Sequence, residues 1–356
     1  MRIPRVDCFS PYASRQLRQA CMDVGFFYLE GHRIPIALQN AVYEQMKQFF
    51  HLPETEKRKA SADKNMRGWA PMYEETLDPA HQSKGDTKEA YHVCRPSLPD
   101  EVHLPLHDTD NVFPDAHTLP QFKAVTTAYF NAMSALGLHV AHLFADAAGS
   151  PGYFNAPGMF DRPMAVLRML HYNAEKSDLE KGIIGAGAHA DYGLLTLLST
   201  DTEPGLQIRH QGQWVDVPHL ENAFIVNVGD LAERWTNGLF KSTEHRVVNT
   251  TGKERYSIPF FFEPNFNCQV TCIPSCVTPD RPAQVQYIPS NLSGSKSSKH
   301  IGDTVPNPHL GRGEPPSKVQ GHPRQLHLRD LSKTFLDSGR QSRGGLSRYF
   351  YACNSK

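Results

Sequence analysis

The sequence predicts an α+β protein: helices at the N-terminal side, then an antiparallel β-sandwich or barrel. Two observations carry this. Residues 164–263 hold a close succession of short β-rich runs separated by brief turns, the pattern of antiparallel sheets. The first 150 residues instead alternate strand signals with apolar stripes of helical period.

The elements follow in order. RIPRVD reads as a short strand. SRQLRQACMDVG reads as a helix with Ser10 or Ser14 as its cap and Gly25 as its stop. FFYLEGH is a second strand. In ALQNAVYEQMKQFFHL the residues Leu38, Val42, Met46, Phe49 and Phe50 form a helical stripe, and Pro53 opens a polar stretch. Residues 60–120 read as irregular. A long helix is expected over roughly 119–148, carrying His139 and His142 three apart, which are read as surface or partly buried histidines. The strand-rich part contains MAVLRMLHY, GAGAHADYGLLTLLST, GLQIRH, QWVDVP, AFIVNVGD, STEHRVVN and ERYSIPFFFEP, with a hairpin turn at Gln211–Gln213 and one short helix through LAERWTNGLF. This divides the chain into 1–118, 119–290 and a tail, 291–356. The tail holds 11 Lys plus Arg against 4 Asp plus Glu, is rich in Gly, Ser and Pro, and has the composition of disorder.

Composition excludes several classes. Lys plus Arg and Asp plus Glu are both 37, so net charge favours neither nucleic acid nor a membrane as partner. There is no run of about 18 apolar residues, and MRIPRVDCFS lacks the apolar core of a secretory signal, which suggests a cytoplasmic protein. The 7 cysteines fit free thiols in a reducing compartment. Cys268, Cys272 and Cys276 are evenly spaced, but NCQVTCIPSC alternates as a strand does and reads as one.

The chemistry lies in the strand-rich part. His189 and Asp191 flank Ala190, so on a strand they share one face. His245 follows on a later strand. Two histidines and one carboxylate make the facial triad of non-haem iron(II) oxygenases and leave coordination positions open. Ten residues on, Arg255 and Ser257 again share a strand face in an otherwise apolar run, where a buried charge wants an anion. A guanidinium fork and a hydroxyl suit the distal carboxylate of a dicarboxylic acid.

With these residues in view, the chain resembles the plant and fungal 2-oxoglutarate/iron(II) dioxygenases of the isopenicillin N synthase-like family. The resemblance spans about residues 3–289 and includes DVGFFYLEGHRIP, LRMLHY, GAGAHADYGLLTLL, WVDVP, AFIVNVGDLAERWTNGLFKSTEHRVVN and ERYSIPFFFEP. It implies a double-stranded β-helix (jelly-roll) core flanked by helices. It implies iron held by His189, Asp191 and His245, and 2-oxoglutarate held by Arg255, Ser257 and Tyr172, with dioxygen as second co-substrate. Leu170 stands where many members have Asn, two places before Tyr172. Segments 67–71 and 85–93 resemble substrate-side loops, and Arg67, Tyr91 and, in ERYSIPFFFEP, Phe262 are candidate substrate contacts. The expected reaction is oxidation of a C–H bond of a small organic molecule, by hydroxylation, desaturation or ring closure, in a monomeric enzyme of secondary metabolism. A same-fold iron oxidase that does not use 2-oxoglutarate, and an inactive jelly-roll binding protein, are the alternatives.

Overall fold

The computed structural model describes residues 1–284, apart from 102, 103, 105 and 106, and the backbone of Ile288–Pro289. The chain divides after residue 294, and all described residues lie in the first unit. The expectations for the tail, 291–356, fall outside the described residues.

The elements in chain order are β1 (Arg5–Asp7), α1 (Ala13–Asp23), β2 (Phe26–Glu30), α2 (Ile36–Phe50), α3 (Glu54–Lys57), β3 (Gly68–Ala70), β4 (Lys88–Cys94), α4 (Phe122–Ala147) and β5 (Met164–Tyr172). They continue with β6 (Ala186–His189), β7 (Leu195–Thr200), β8 (Leu206–His210), β9 (Gln213–Asp216), β10 (Phe224–Val228) and α5 (Asp230–Trp235). The last are β11 (His245–Val247), β12 (Arg255–Glu263), β13 (Gln269–Val270) and β14 (Ile288–Pro289). An eight-stranded sheet runs β1-β2-β10-β7-β12-β5-β4-β3, and a four-stranded sheet runs β6-β11-β8-β9. All pairs are antiparallel except β1 with β2. This is the jelly-roll core with flanking helices that the sequence led us to expect.

Strand alternation sorts the large sheet into two faces. On β12, Tyr256, Ile258, Phe260 and Phe262 join the main core under the helices, whereas Arg255, Ser257, Pro259 and Phe261 line a cavity between the sheets. On β5 the even positions Arg168, Leu170 and Tyr172 face the same cavity. Helix α4 lies on the covered face, and Gly137 permits its approach: a Cβ there would meet the Phe262 ring at 2.7 Å.

Three local expectations are corrected. Neither Ser10 nor Ser14 caps α1; Tyr12 is the cap residue, and the Ser10 hydroxyl instead accepts from the Tyr12 N–H at 3.2 Å. Residues 60–120 are not wholly irregular, because β4 is an inner strand of the large sheet, its charged Lys88 and Glu89 buried in ion pairs. The NCQVTCIPSC segment forms a strand only at Gln269–Val270; Pro274 then opens a short 3-10 turn through Cys276, since proline has no N–H for a ladder. The Gln211–Gln213 hairpin is present, with Gln211 and Gly212 both at positive φ (49° and 81°), as a tight two-residue turn requires.

Candidate metal and co-substrate site

The site grows from one strand pair. β6 and β11 pair antiparallel with His189 opposite His245, which brings the two imidazoles to a centroid separation of 4.3 Å. The chain leaves β6 just after His189, and Asp191 turns in beneath both rings. Its Oδ1 lies 3.7 Å from His189 Nε2 and 3.8 Å from His245 Nε2. One donor atom from each residue can be chosen so that all lie within 4.8 Å of one another, and among the described residues no other group of this kind occurs.

Hydrogen bonds fix which atoms point inward. His189 Nδ1 meets the Gly187 carbonyl at 2.8 Å, and His245 Nδ1 meets the Thr243 carbonyl at 3.2 Å. A carbonyl only accepts, so each Nδ1 carries the proton and each Nε2 offers its lone pair. Asp191 Oδ2 accepts from Thr196 Oγ1 at 2.5 Å and Asn227 Nδ2 at 2.7 Å, which leaves Oδ1 for the shared centre. Burial opposes ionisation of Asp191, but His245, His189 and these two donors outweigh it and hold the carboxyl below its usual range. Burial also pushes His245 down to about 4, with His189 adding to the effect. Two imidazoles and a carboxylate are the donor set that a divalent iron ion takes, so the residues fit the metal.

The opposite wall of the cavity belongs to the large sheet. Arg255 and Tyr172 are cross-strand partners, with the guanidinium carbon 5.1 Å from the Tyr172 ring centroid. Arg255 Nε donates to the Glu203 carbonyl at 3.3 Å, while its buried Nη1 has no partner. An orphaned buried donor of a cation is costly unless something fills the space before it. Ser257, also buried, is the next cavity-facing residue of β12. The remaining lining includes Phe26, Leu198, Leu206 and Val247. A carboxylate held at Arg255 and Ser257 suits this chemistry, so the residues fit a dicarboxylic co-substrate. Leu170 lies on the cavity wall and offers no polar atom there.

The structure places the three candidate substrate contacts off this cavity. Arg67 is buried against the Arg95 carbonyl and Asn111. Tyr91 packs its ring on Phe49 and Phe122 and donates its hydroxyl to the Val112 carbonyl. Phe262 sits under α4. None lines the cavity, because Tyr91 and Phe262 occupy the helix-facing parity of their strands. Phe261 is the neighbour with the right parity.

Sequence reasoning missed several polar residues. Thr196 and Asn227 sit in apolar strand runs, the same signal that exposed Arg255. Lys88 and Arg168 also reach the cavity wall. Glu263, at the end of β12, accepts the Leu194 N–H at 2.8 Å, and its burial, with the nearby Asp191 charge, pushes its carboxyl up to about 8.

Comparison with known proteins agrees with this geometry. Residues 163–264 match the 2OG-Fe(II) oxygenase superfamily, and residues 9–116 match the non-haem dioxygenase in morphine synthesis N-terminal family. The chain is 35% identical over 280 residues to Kihadalactone A synthase LFS of Citrus sinensis, covering 76% of this chain and 83% of that protein. It is 36% identical over 260 residues to the 2-oxoglutarate-dependent dioxygenase traH of Penicillium crustosum, covering 69% and 76%. Among solved structures it is similar to a full-length Neurospora crassa protein in complex with alpha-KG, at a TM-score of 0.71 and 30% identity, covering 81% of this chain and 93% of that one. The same Neurospora crassa protein has been solved with alpha-KG and thymine (TM-score 0.70, 30% identity, 81% and 93% covered). These likenesses do not favour the oxidase or inactive readings. The chain belongs to the 2OG-Fe(II) oxygenase superfamily, as an oxidoreductase that uses iron(II) and 2-oxoglutarate.

Proposed function

We propose that His189, Asp191 and His245 hold the iron, that Arg255, Ser257 and Tyr172 hold 2-oxoglutarate, and that the enzyme oxidises a C–H bond of a small organic molecule. The observation that carries this reading is the pairing of an inward-facing His–Asp–His set with a buried guanidinium whose Nη1 has no partner, across one cavity. Iron(II) with 2-oxoglutarate and dioxygen supplies oxidation of an unactivated C–H bond, coupled to decarboxylation of the co-substrate to succinate and CO2. The protein's own residues do the rest. Gly187 and Thr243 carbonyls keep both imidazoles in one tautomer and orientation. Thr196 and Asn227 hold Asp191 so that one oxygen faces the centre. Arg255 fixes one end of the co-substrate, and the apolar lining from Phe26, Leu198 and Val247 excludes water.

A small-molecule substrate is supported by the thymine found with the Neurospora crassa protein and by the cavity between the sheets. Hydroxylation, desaturation and ring closure are all open to such a site. A role in secondary metabolism is supported by relatives such as Kihadalactone A synthase and traH. We read the enzyme as a monomer and place it in the cytoplasm; the compartment is supported by the free thiols of Cys8, Cys21, Cys94, Cys268, Cys272 and Cys276, which suit a reducing environment. Among the described residues no helix is long and apolar enough to cross a membrane, and the balanced charge gives no support to a nucleic-acid partner. The test is stoichiometric. In iron-reconstituted protein, 2-oxoglutarate consumption should equal succinate release, and Asp191→Ala should abolish both. Product formation from a substrate without succinate would overturn the co-substrate assignment.

A further inference from the structure

The cavity wall beside the metal site carries a second set of charges that the site above does not use. Lys88 Nζ and Arg168 Nη2 meet the same oxygen, Glu75 Oε2, at 2.8 Å and 2.5 Å. Lys88 also pairs with Asp86, whose other oxygen accepts the Gly187 N–H at 3.0 Å. Lys88 and Asp86 are buried, and Arg168 and Glu75 nearly so. Only the two cations line the cavity; the two carboxylates back them from behind. Burial opposes ionisation of Glu75, but Arg168 and Lys88 hold it well below the usual carboxylate range. His92 lies beside Arg168 and is held neutral, pushed down to about 3 by burial and by that guanidinium. Two cations and two carboxylates therefore make a wall with hydrogen-bond donors on its surface and no net charge.

The rest of the cavity also balances. One carboxylate, Asp191, faces the divalent metal, and one cation, Arg255, faces the dianionic co-substrate. Together these four are neutral, which leaves no uncompensated charge for a third occupant. An ionic substrate would enter this low-dielectric space without a counter-charge, at a large desolvation penalty. A neutral oxygen would not. The Lys88 ammonium has three donors, of which Glu75 and Asp86 take two.

The placement suits substrate. Val166, Phe261, Thr196 and Asn227 form one cross-strand row, and the last two anchor Asp191. Arg168 is the next cavity-facing residue of β5, one pleat repeat, about 6.6 Å, from that row. Arg255 and Tyr172 lie further along, and Lys88 is paired with Tyr172 in that row, its ammonium meeting Arg168 at the shared Glu75 oxygen.

We propose that Lys88 and Arg168, neutralised by Glu75 and Asp86, form the substrate subsite, and that it selects uncharged molecules presenting a carbonyl or hydroxyl oxygen over carboxylates and amines. The proposal rests on the co-substrate reading, because the charge count assigns Arg255 to 2-oxoglutarate.

The test compares three probes of one shape: acetophenone, benzoate and benzylamine. Each is titrated by ligand-observed NMR into protein loaded with zinc(II), a redox-silent stand-in for iron(II), and with 2-oxoglutarate. Acetophenone should bind at least tenfold more tightly than either ion. Glu75→Gln should leave the cations under-compensated and raise benzoate affinity relative to acetophenone tenfold or more. Thermal melts check that the variant is folded; if it is not, the wild-type comparison decides alone. Benzoate or benzylamine binding as tightly as acetophenone, no acetophenone binding at millimolar concentration, or an unchanged ratio in folded Glu75→Gln would each overturn the subsite. A separate titration of 2-oxoglutarate in the same samples distinguishes failure of the co-substrate reading, which would appear there as absent binding.

Discussion

Replacing Arg255 by leucine separates the co-substrate pole of the cavity from its metal pole. Arg255 lies on β12 of the large sheet, whereas His189 and His245 lie on β6 and β11 of the small one. Its Nε is already engaged by the Glu203 carbonyl, which leaves the buried Nη1 for a ligand. Leucine keeps the bulk and the apolar stem but removes the fork. A carboxylate left buried without its charged partner loses about 2–5 kcal/mol. At about 1.4 kcal/mol per tenfold, that is a rise in the 2-oxoglutarate dissociation constant of roughly 30- to 4,000-fold. Isothermal titration under anaerobic conditions, first with iron(II) and then with 2-oxoglutarate, measures the two steps separately. Iron affinity should change less than about threefold, because a cation on the opposite wall contributes little to metal coordination. An unchanged dissociation constant for 2-oxoglutarate would refute the assignment. So would equal losses for both ligands, which would mean that the substitution collapses the site as a whole.

Three further outcomes follow from the geometry. His189→Ala and His245→Ala should each lower bound iron to background and abolish turnover, while the far-ultraviolet dichroism stays that of wild type; iron retained at the wild-type level would exclude that residue as a ligand. Gly193→Ala should be destabilising by about 1–3 kcal/mol in urea unfolding, because the new Cβ would lie 1.5 Å from Glu263 Oε1 and displace the carboxyl from the Leu194 N–H; a neutral substitution would show that this contact is dispensable. Glu263 has its folded pKa raised by burial to about 8 from an ordinary 4.5. Its contribution to stability is therefore fully present below about pH 4.5 and is lost as pH rises through 8. In metal-free protein, Glu263→Gln should flatten the fall in melting temperature between pH 5 and pH 8, and an identical slope in both proteins would contradict that.

Much of the architecture was legible because strand parity leaves a trace in sequence. His189 and Asp191 flank one residue, and so do Arg255 and Ser257; both spacings announce a shared face, and the structure turns each pair into the cavity. His245 was harder to place from spacing alone, since nothing local says that β11 pairs with β6 in the register that sets it opposite His189. The long helix α4 was readable from its apolar content, although it begins at Phe122 and not at 119. β4 was not readable, because Lys88, Glu89 and His92 look like loop residues. Lys88 and Glu89 are tolerated in an inner strand because ion pairs from α3, Asp86 and the loop at Glu75 meet them, and His92 because it is neutral. Those partners are distant or irregularly placed, and no periodicity announces them. The three substrate guesses lie off the cavity for a related reason. Resemblance pointed to the segments around Arg67, Tyr91 and Phe262, but one-residue parity decided which side chain reached the cavity. At Leu170 the departure from the resembled pattern was visible in the sequence, and the structure places that apolar side chain on the cavity wall.

The most direct test of the central claim is an anaerobic titration of the protein with iron(II) and 2-oxoglutarate, followed in the visible spectrum. The account predicts a charge-transfer band that requires both additions, saturates at one of each per chain, and is absent from His245→Ala and from Asp191→Ala. Absence of a band in the wild-type protein, or a band of full intensity in either variant, would contradict it.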